Sequence, residues 1–146
     1  RPLWFVTHAN HPDEITPEFR EAIDRLLREG ISVLNQSVLL RGVNDDVDSL
    51  EQLFRALVRV GVKPYYLFQG DLAAGTAHFR VSIERGLDLV SELRRRLSGI
   101  ALPTYAVDLP EGGGKVAVEN ALLRIEEEWY VFRGPNDLEY RYPREL

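Results

Sequence analysis

Pro64-Tyr65-Tyr66-Leu67-Phe68-Gln69-Gly70-Asp71 reads as an apolar β-strand that ends at a polar corner, and the same grammar recurs on both sides of it. Upstream, Leu3 to Thr7 runs into His8-Ala9-Asn10-His11-Pro12-Asp13-Glu14, and Ile31 to Leu34 ends at Asn35-Gln36. Downstream, Thr104 to Val107 ends at Asp108. Helical patterns fill the intervals. Thr16-Pro17-Glu18 opens the first, with Thr16 as N-cap, and Phe19, Ile23, Leu26 and Leu27 form its stripe up to Gly30. Gly42-Val43-Asn44-Asp45-Asp46 turns into the second, which carries Leu50, Leu53, Phe54 and Leu57 and closes at Gly61. The third runs from about Val81 to Leu97 on Ile83, Leu87, Val90 and Leu93.

Strand, helix and strand in strict alternation, with near-continuous apolar strands, predict parallel pairing. Four such strands cannot close a barrel. The expected fold is therefore α/β: a partial (β/α) barrel of about four parallel strands with crossover helices, over residues 1–118. Arg1-Pro2-Leu3-Trp4-Phe5 reads as the start of a buried strand. After Lys115 the pattern changes, and Ala121 to Ile125, Trp129 to Phe132 and Leu138 to Tyr142 predict a small antiparallel β tail over residues 119–146.

The chain has 146 residues, 45% of them hydrophobic and 28% charged, enough for one domain with a real core. A net charge of −5 argues against a nucleic-acid partner, which would need a clustered basic face. No apolar run reaches the roughly 18 residues of a membrane span and no signal-peptide pattern is present, so a cytoplasmic setting is expected. There is no cysteine, hence no thiolate ligand for a metal or an iron–sulfur cluster within these residues. There is no methionine either, and the sequence reads as part of a longer polypeptide. Only Lys63 and Lys115 stand against 16 arginines, so each lysine raises the question whether an amine is required.

In parallel α/β folds chemistry gathers beyond the carboxyl ends of the strands. His8, Gln36, Asp71 and Asp108 hold the four corresponding positions; loop and helix capping is the alternative role for His8 and Gln36. The most informative segment is Asp108-Leu109-Pro110-Glu111-Gly112-Gly113-Gly114-Lys115. A phosphate loop of the Walker A type is excluded, because Leu109 and Val116 stand where glycine and Ser or Thr are needed. Two readings remain: a Schiff-base lysine for an aldehyde cofactor, or a glycine-rich turn carrying a solvated lysine. His11 and His78 with Asp13 or Glu14 lack metal-ligand spacing and read as capping and loop residues. Arg94-Arg95-Arg96 is a solvated or interface surface at a helix end.

His8 to Thr16, Asn35 to Asp45, Pro64 to Asp71 with His78-Phe79-Arg80, and Asp108 to Lys115 resemble, in order, four motifs of the C-terminal half of the lysine 2,3-aminomutase family. The resemblance implies a radical S-adenosylmethionine enzyme that uses pyridoxal phosphate to interconvert L-α-lysine and L-β-lysine. It implies that Lys115 holds the pyridoxal phosphate as a Schiff base, that Asp71 and Asp108 receive the side-chain ammonium of the substrate, and that His8 and Gln36 lie on the S-adenosylmethionine side. It also implies that the ligands of a 4Fe-4S cluster, three cysteines spaced C-x3-C-x2-C, lie in an N-terminal half that is the partner of this one, and that the protein is a homo-oligomer. The sequence departs from the family at Phe68, Ala9, Gly70 and Glu111, where tyrosine, phenylalanine, cysteine and glycine are usual. Relatives within the family act on glutamate or arginine, or serve translation-factor lysine modification; paired Asp71 and Asp108 favour a cationic substrate. The competing reading is a non-catalytic fragment that acts only in assembly.

Overall fold

The computed structural model describes residues 2–144, so Arg1 of the opening stretch lies outside the described residues. Along the chain run β1 (Trp4–His8), α1 (Pro17–Arg28), β2 (Ser32–Val38), α2 (Val47–Arg59), β3 (Val62–Phe68), α3 (Ile83–Arg96) and β4 (Thr104–Leu109). They are followed by β5 (Gly114–Ala117), α4 (Val118–Ala121), β6 (Leu122–Ile125), β7 (Trp129–Arg133) and β8 (Glu139–Pro143). Each long helix starts on a side-chain cap: Thr16 Oγ1 accepts from Phe19 N at 3.2 Å, Asp46 Oδ1 from Ser49 N at 2.8 Å and Ser82 Oγ from Arg85 N at 3.2 Å.

Strands β1 to β4 pair in parallel in the order β1-β2-β3-β4, as the alternation predicts, and β5 adds to β4 in antiparallel sense. Strands β6, β7 and β8 form a separate antiparallel sheet, the expected tail. Successive strand side chains alternate between faces. One face presents Val33, Leu67, Tyr105 and Val107, which are buried in a single cluster with Ile23 of α1, with Leu50, Leu53, Phe54 and Leu57 of α2, and with Ile83, Leu89, Val90 and Leu93 of α3. The alternate residues, among them His8, Gln36, Tyr66, Phe68, Asp108 and Lys115, lie half-buried or exposed on the other face. Tyr130, Phe132 and Tyr142 of the small sheet belong to the same apolar cluster as the main sheet. The fold is mixed α/β, a five-stranded open sheet with its helices against one face plus a three-stranded antiparallel sheet.

Two expectations need correction. The β1 strand is not buried: Trp4, Phe5 and Val6 are 63%, 45% and 45% exposed, because β1 is an edge with no neighbour outside it. His8, Gln36 and Asp108 do not follow their strands: His8 is the last residue of β1, and Gln36 and Asp108 lie inside β2 and β4, which run on to Val38 and Leu109. The glycine run forms the turn of the β4–β5 hairpin, and Lys115 sits in β5 directly opposite Asp108. Gly112 and Gly114 have φ of 76° and 80°, a backbone region that suits glycine, and the chain reverses tightly enough to bring the lysine back beside the strand it left.

A further irregularity sets which side chains face the open side. Asn35 pairs with Pro64 and Gln36 with Tyr66, so Tyr65 is an extra residue in β3. The bulge turns Leu67 into the core and both Tyr66 and Phe68 toward the open face. No helix among the described residues is long and apolar enough to cross a membrane.

Candidate functional site

The open face of the sheet ends in a cavity of about 400 Å³ whose wall includes His8, Gln36, Asp71, Asp108 and Lys115. All five residues singled out from the sequence converge there. The strand register explains how: His8 pairs with Gln36, Gln36 with Tyr66, Val38 with Phe68, and Asp108 with Lys115. Arg80, Thr76, Phe68 and Gln69 complete much of the remaining wall.

The loops that carry these residues are fixed by buried polar groups. After β1, Asn35 accepts from Ala9 N at 2.8 Å and donates to Ala9 O at 3.2 Å, and Ser37 donates to the same carbonyl at 2.6 Å. Asn44 donates to Asn10 O and to Val38 O, both at 2.8 Å, tying the loop after β1 to the end of β2. Glu14 accepts from Asn10 N and His11 N, and the His11 ring accepts from Asp13 N, so His11 caps a short turn. His78 stacks at 4.0 Å on Phe79. After β3, buried Gln69 donates to Val81 O at 2.6 Å and accepts from the Tyr105 hydroxyl at 2.6 Å, and the Tyr142 hydroxyl donates to Gly70 O at 2.6 Å. A buried amide satisfied on both ends holds its segment to one geometry. Here that segment carries Asp71.

Lys115 Nζ stands 4.4 Å from the Phe68 ring centre and 4.8 Å from that of Tyr66. It forms no ion pair with a described residue. Asp71 and Asp108 likewise accept no side-chain hydrogen bond from one. The Tyr66 hydroxyl is held above its ordinary pKa by the Tyr65 hydroxyl first, then by burial and the negative charge of Asp108. Lys63, the other lysine, lies near the start of β3, at the end opposite Asp71, and donates to Pro64 O at 2.7 Å and Leu102 O at 2.9 Å. Burial lowers its pKa, but both carbonyls engage its amine. Among the described residues no group of three or more His, Asp or Glu is placed to hold a metal ion.

The site therefore offers a free primary amine over two neighbouring aromatic rings, two free carboxylates and a half-buried guanidinium, in one cavity of ligand size. Chemically, a free amine can condense with a carbonyl and paired carboxylates can seat a cation. Over most of its length the chain is similar to the lysine 2,3-aminomutases. A protein of Aquifex aeolicus provisionally named an L-lysine 2,3-aminomutase is 58% identical over 115 residues, which are 79% of this chain and 31% of that protein. The L-lysine 2,3-aminomutase of Bacillus subtilis is 40% identical over 97% of this chain and 30% of its own length, so its likeness extends into the small sheet. The glutamate 2,3-aminomutase of Clostridioides difficile is 46% identical over 78% of this chain and 27% of its own length. The chain thus spans about a third of the length of these relatives. No protein-family model matches it.

Sequence reading missed Gln69, Tyr142 and Arg80. Gln69 directly follows an apolar strand, a signal that could have singled it out. Tyr142 lies in the tail and reaches the site only through folding. Arg80 is present in the sequence as the end of His78-Phe79-Arg80, but nothing local marks it as part of a cavity wall.

Proposed function

We propose that the polypeptide containing this chain interconverts L-α-lysine and L-β-lysine by a radical mechanism, with this chain supplying one wall of a (β/α) barrel. The observation that carries the reading is the convergence of Lys115, Asp71 and Asp108 on one cavity of the uncovered sheet face. The donor set fits pyridoxal phosphate: a primary amine free of ion pairs, over two neighbouring aromatic rings, in a cavity of sufficient size. Bound at Lys115, that cofactor supplies an aldehyde carbon able to carry an amino group as an imine.

Asp71 and Asp108 seat the substrate ammonium. Two carboxylates with no partner of their own give charge-assisted hydrogen bonds to a cation, and would repel the side-chain carboxylate of glutamate. Asp108 stands opposite Lys115 across the hairpin, so the same carboxylate fixes the distance between the substrate's cationic end and the attachment point. His8 and Gln36 lie on β1 and β2, toward the far side of the cavity, where S-adenosylmethionine is assigned. An iron–sulfur cluster does not fit the residues of this chain, which contains no cysteine. We assign its ligands to the other part of the polypeptide, the same part that covers Trp4, Phe5 and Val6. Residues 1–118 form the barrel wall and 119–146 a β extension that braces it; a cytoplasmic homo-oligomer is the assembly we assign.

The test uses the full-length protein with reductant, S-adenosylmethionine and pyridoxal phosphate. Lysine turnover faster than glutamate turnover, borohydride fixation of the cofactor on Lys115 and not on Lys63, and loss of that fixation in Lys115→Arg support the reading. Faster glutamate turnover would sink the substrate assignment, and pyridoxyl on another residue would sink the role of Lys115. Among the described residues the exposed β1 edge also suits the rival reading, a fragment acting in assembly alone; absence of a C-x3-C-x2-C motif upstream in the same reading frame would favour it.

A further inference from the structure

Sixteen arginines stand in the sequence. Among the described residues four of them, Arg41, Arg59, Arg80 and Arg133, have no side-chain hydrogen bond or ion pair. Arg41, Arg59 and Arg133 are exposed and solvated. Arg80 is different: it is half-buried, it lines the cavity that holds Asp71, Asp108 and Lys115, and its Nε is enclosed with no acceptor. Enclosing an N–H without a partner is costly, and more so for a charged group. A guanidinium offers five donors in a planar fork that matches the oxygens of a phosphate or carboxylate in bidentate fashion.

We infer that Arg80 is an oxyanion seat in this cavity and that the oxyanion is the phosphate of the cofactor attached at Lys115, an inference that rests on the assignment of Lys115 above. Neither carboxylate of the cavity wall serves as its partner, since neither Asp71 nor Asp108 forms an ion pair with a described residue. The substrate's own carboxylate is badly placed to reach it. Arg80 lies beside the Asp71 segment, with its Cγ 3.5 Å from where a Cβ on Gly70 would stand. A substrate whose ammonium is seated by Asp71 and Asp108 has its carboxylate four methylenes away, at the other end of the molecule.

The experiment strips cofactor from the full-length protein and titrates it with pyridoxal 5′-phosphate and, separately, with pyridoxal. Binding is read from the chromophore and from the mass fixed on Lys115 by borohydride. The expected result for Arg80→Gln is a loss of about tenfold or more in affinity for pyridoxal phosphate, with pyridoxal changed by less than about twofold. Arg80→Lys, which keeps the charge without the fork, should recover part of the loss. Pyridoxal binding serves as the control for folding. An equal loss for both compounds would mean a structural role and overturn the seat. Unchanged selectivity for the phosphate, with a raised KM for lysine, would place Arg80 at the substrate and overturn it as well. Wild-type protein that fixes neither compound on Lys115 would instead remove the assignment of Lys115, and the phosphate assignment with it.

Discussion

The Tyr142 hydroxyl donates to the Gly70 carbonyl at 2.6 Å, joining the last strand of the small sheet to the segment that carries Asp71. The same sheet reaches the lysine hairpin. A Cβ on Gly113 would stand 2.6 Å from the Tyr140 ring, so the turn of the hairpin packs directly on that side chain. Two of the three groups assigned to chemistry are thus braced by residues that come after them in the chain. Tyr142 also receives a longer hydrogen bond, 3.4 Å, from Gln69, which places it at the edge of the Gln69–Tyr105 network.

Tyr142→Phe keeps the ring and removes only the hydroxyl, leaving the buried Gly70 carbonyl without its donor. The expected cost is about 1–3 kcal/mol of stability. In the full-length protein the KM for lysine should rise several-fold with kcat little changed, because Asp71 is loosened while Lys115 is not. Steady-state kinetics beside thermal denaturation checks this, and a fall in kcat at constant KM would contradict it.

Glu84 latches the small sheet onto α3. Its carboxylate accepts from the Tyr130 hydroxyl and pairs with Arg144 at 3.2 Å. Burial by itself would raise its pKa, but the hydrogen bond from Tyr130 and the charge of Arg144 outweigh that, and the group sits below its ordinary value. A carboxyl whose folded pKa is depressed lends stability that is complete above the unfolded pKa and is withdrawn as pH falls through the folded one. Melting temperatures measured from pH 7 downward should therefore fall more steeply below the usual carboxylate range in wild type than in Glu84→Gln. Parallel curves would show that the latch contributes nothing to acid sensitivity.

Glu111 adopts φ of 57° in the turn before the hairpin, a conformation that costs a side chain with a Cβ about 1–2 kcal/mol. Glu111→Gly relieves that strain while making the unfolded chain more flexible, so the net gain should be small, between zero and about 1 kcal/mol. Chemical denaturation reads it directly. A marked loss of stability would mean that the Glu111 side chain makes an interaction outweighing its backbone strain.

The sequence carried the order of elements well, because alternation of apolar strands with capped helices is a local signal: Thr16, read as a cap, is one, and Leu50, Leu53, Phe54 and Leu57, read as one stripe, are all fully buried. Asp71 stood out by its place after a strand and Lys115 by the glycine run before it, whereas Asp108, read as following its strand, lies inside β4. Strand lengths were less legible, since Asn35 and Gln36 are polar yet continue β2; Asn35 is polar because it clamps the backbone at Ala9. The bulge at Tyr65 left no trace in an uninterrupted apolar run, although it decides that Phe68 faces Lys115. Trp4 is apolar yet exposed, because apolarity does not say which chain segment does the covering.

The polypeptide of residues 1–146, purified alone, should form no β-lysine from lysine even with reductant, S-adenosylmethionine and pyridoxal phosphate supplied. It contains no cysteine to bind the cluster that would generate the radical, and the open face that carries Lys115 has no cover on the β1 side, where Trp4 and Val6 are exposed. Without that cover the cavity admits water, which screens the pairing of Asp71 and Asp108 with an ammonium. Adding the remaining part of the polypeptide in trans should restore activity only if it pairs with β1, so Val6→Asp, at the exposed edge, should abolish the restoration while sparing the fold of the isolated chain. Product measured by chromatography in the absence of the other part would contradict the first expectation, and undiminished restoration by the Val6→Asp chain would contradict the second.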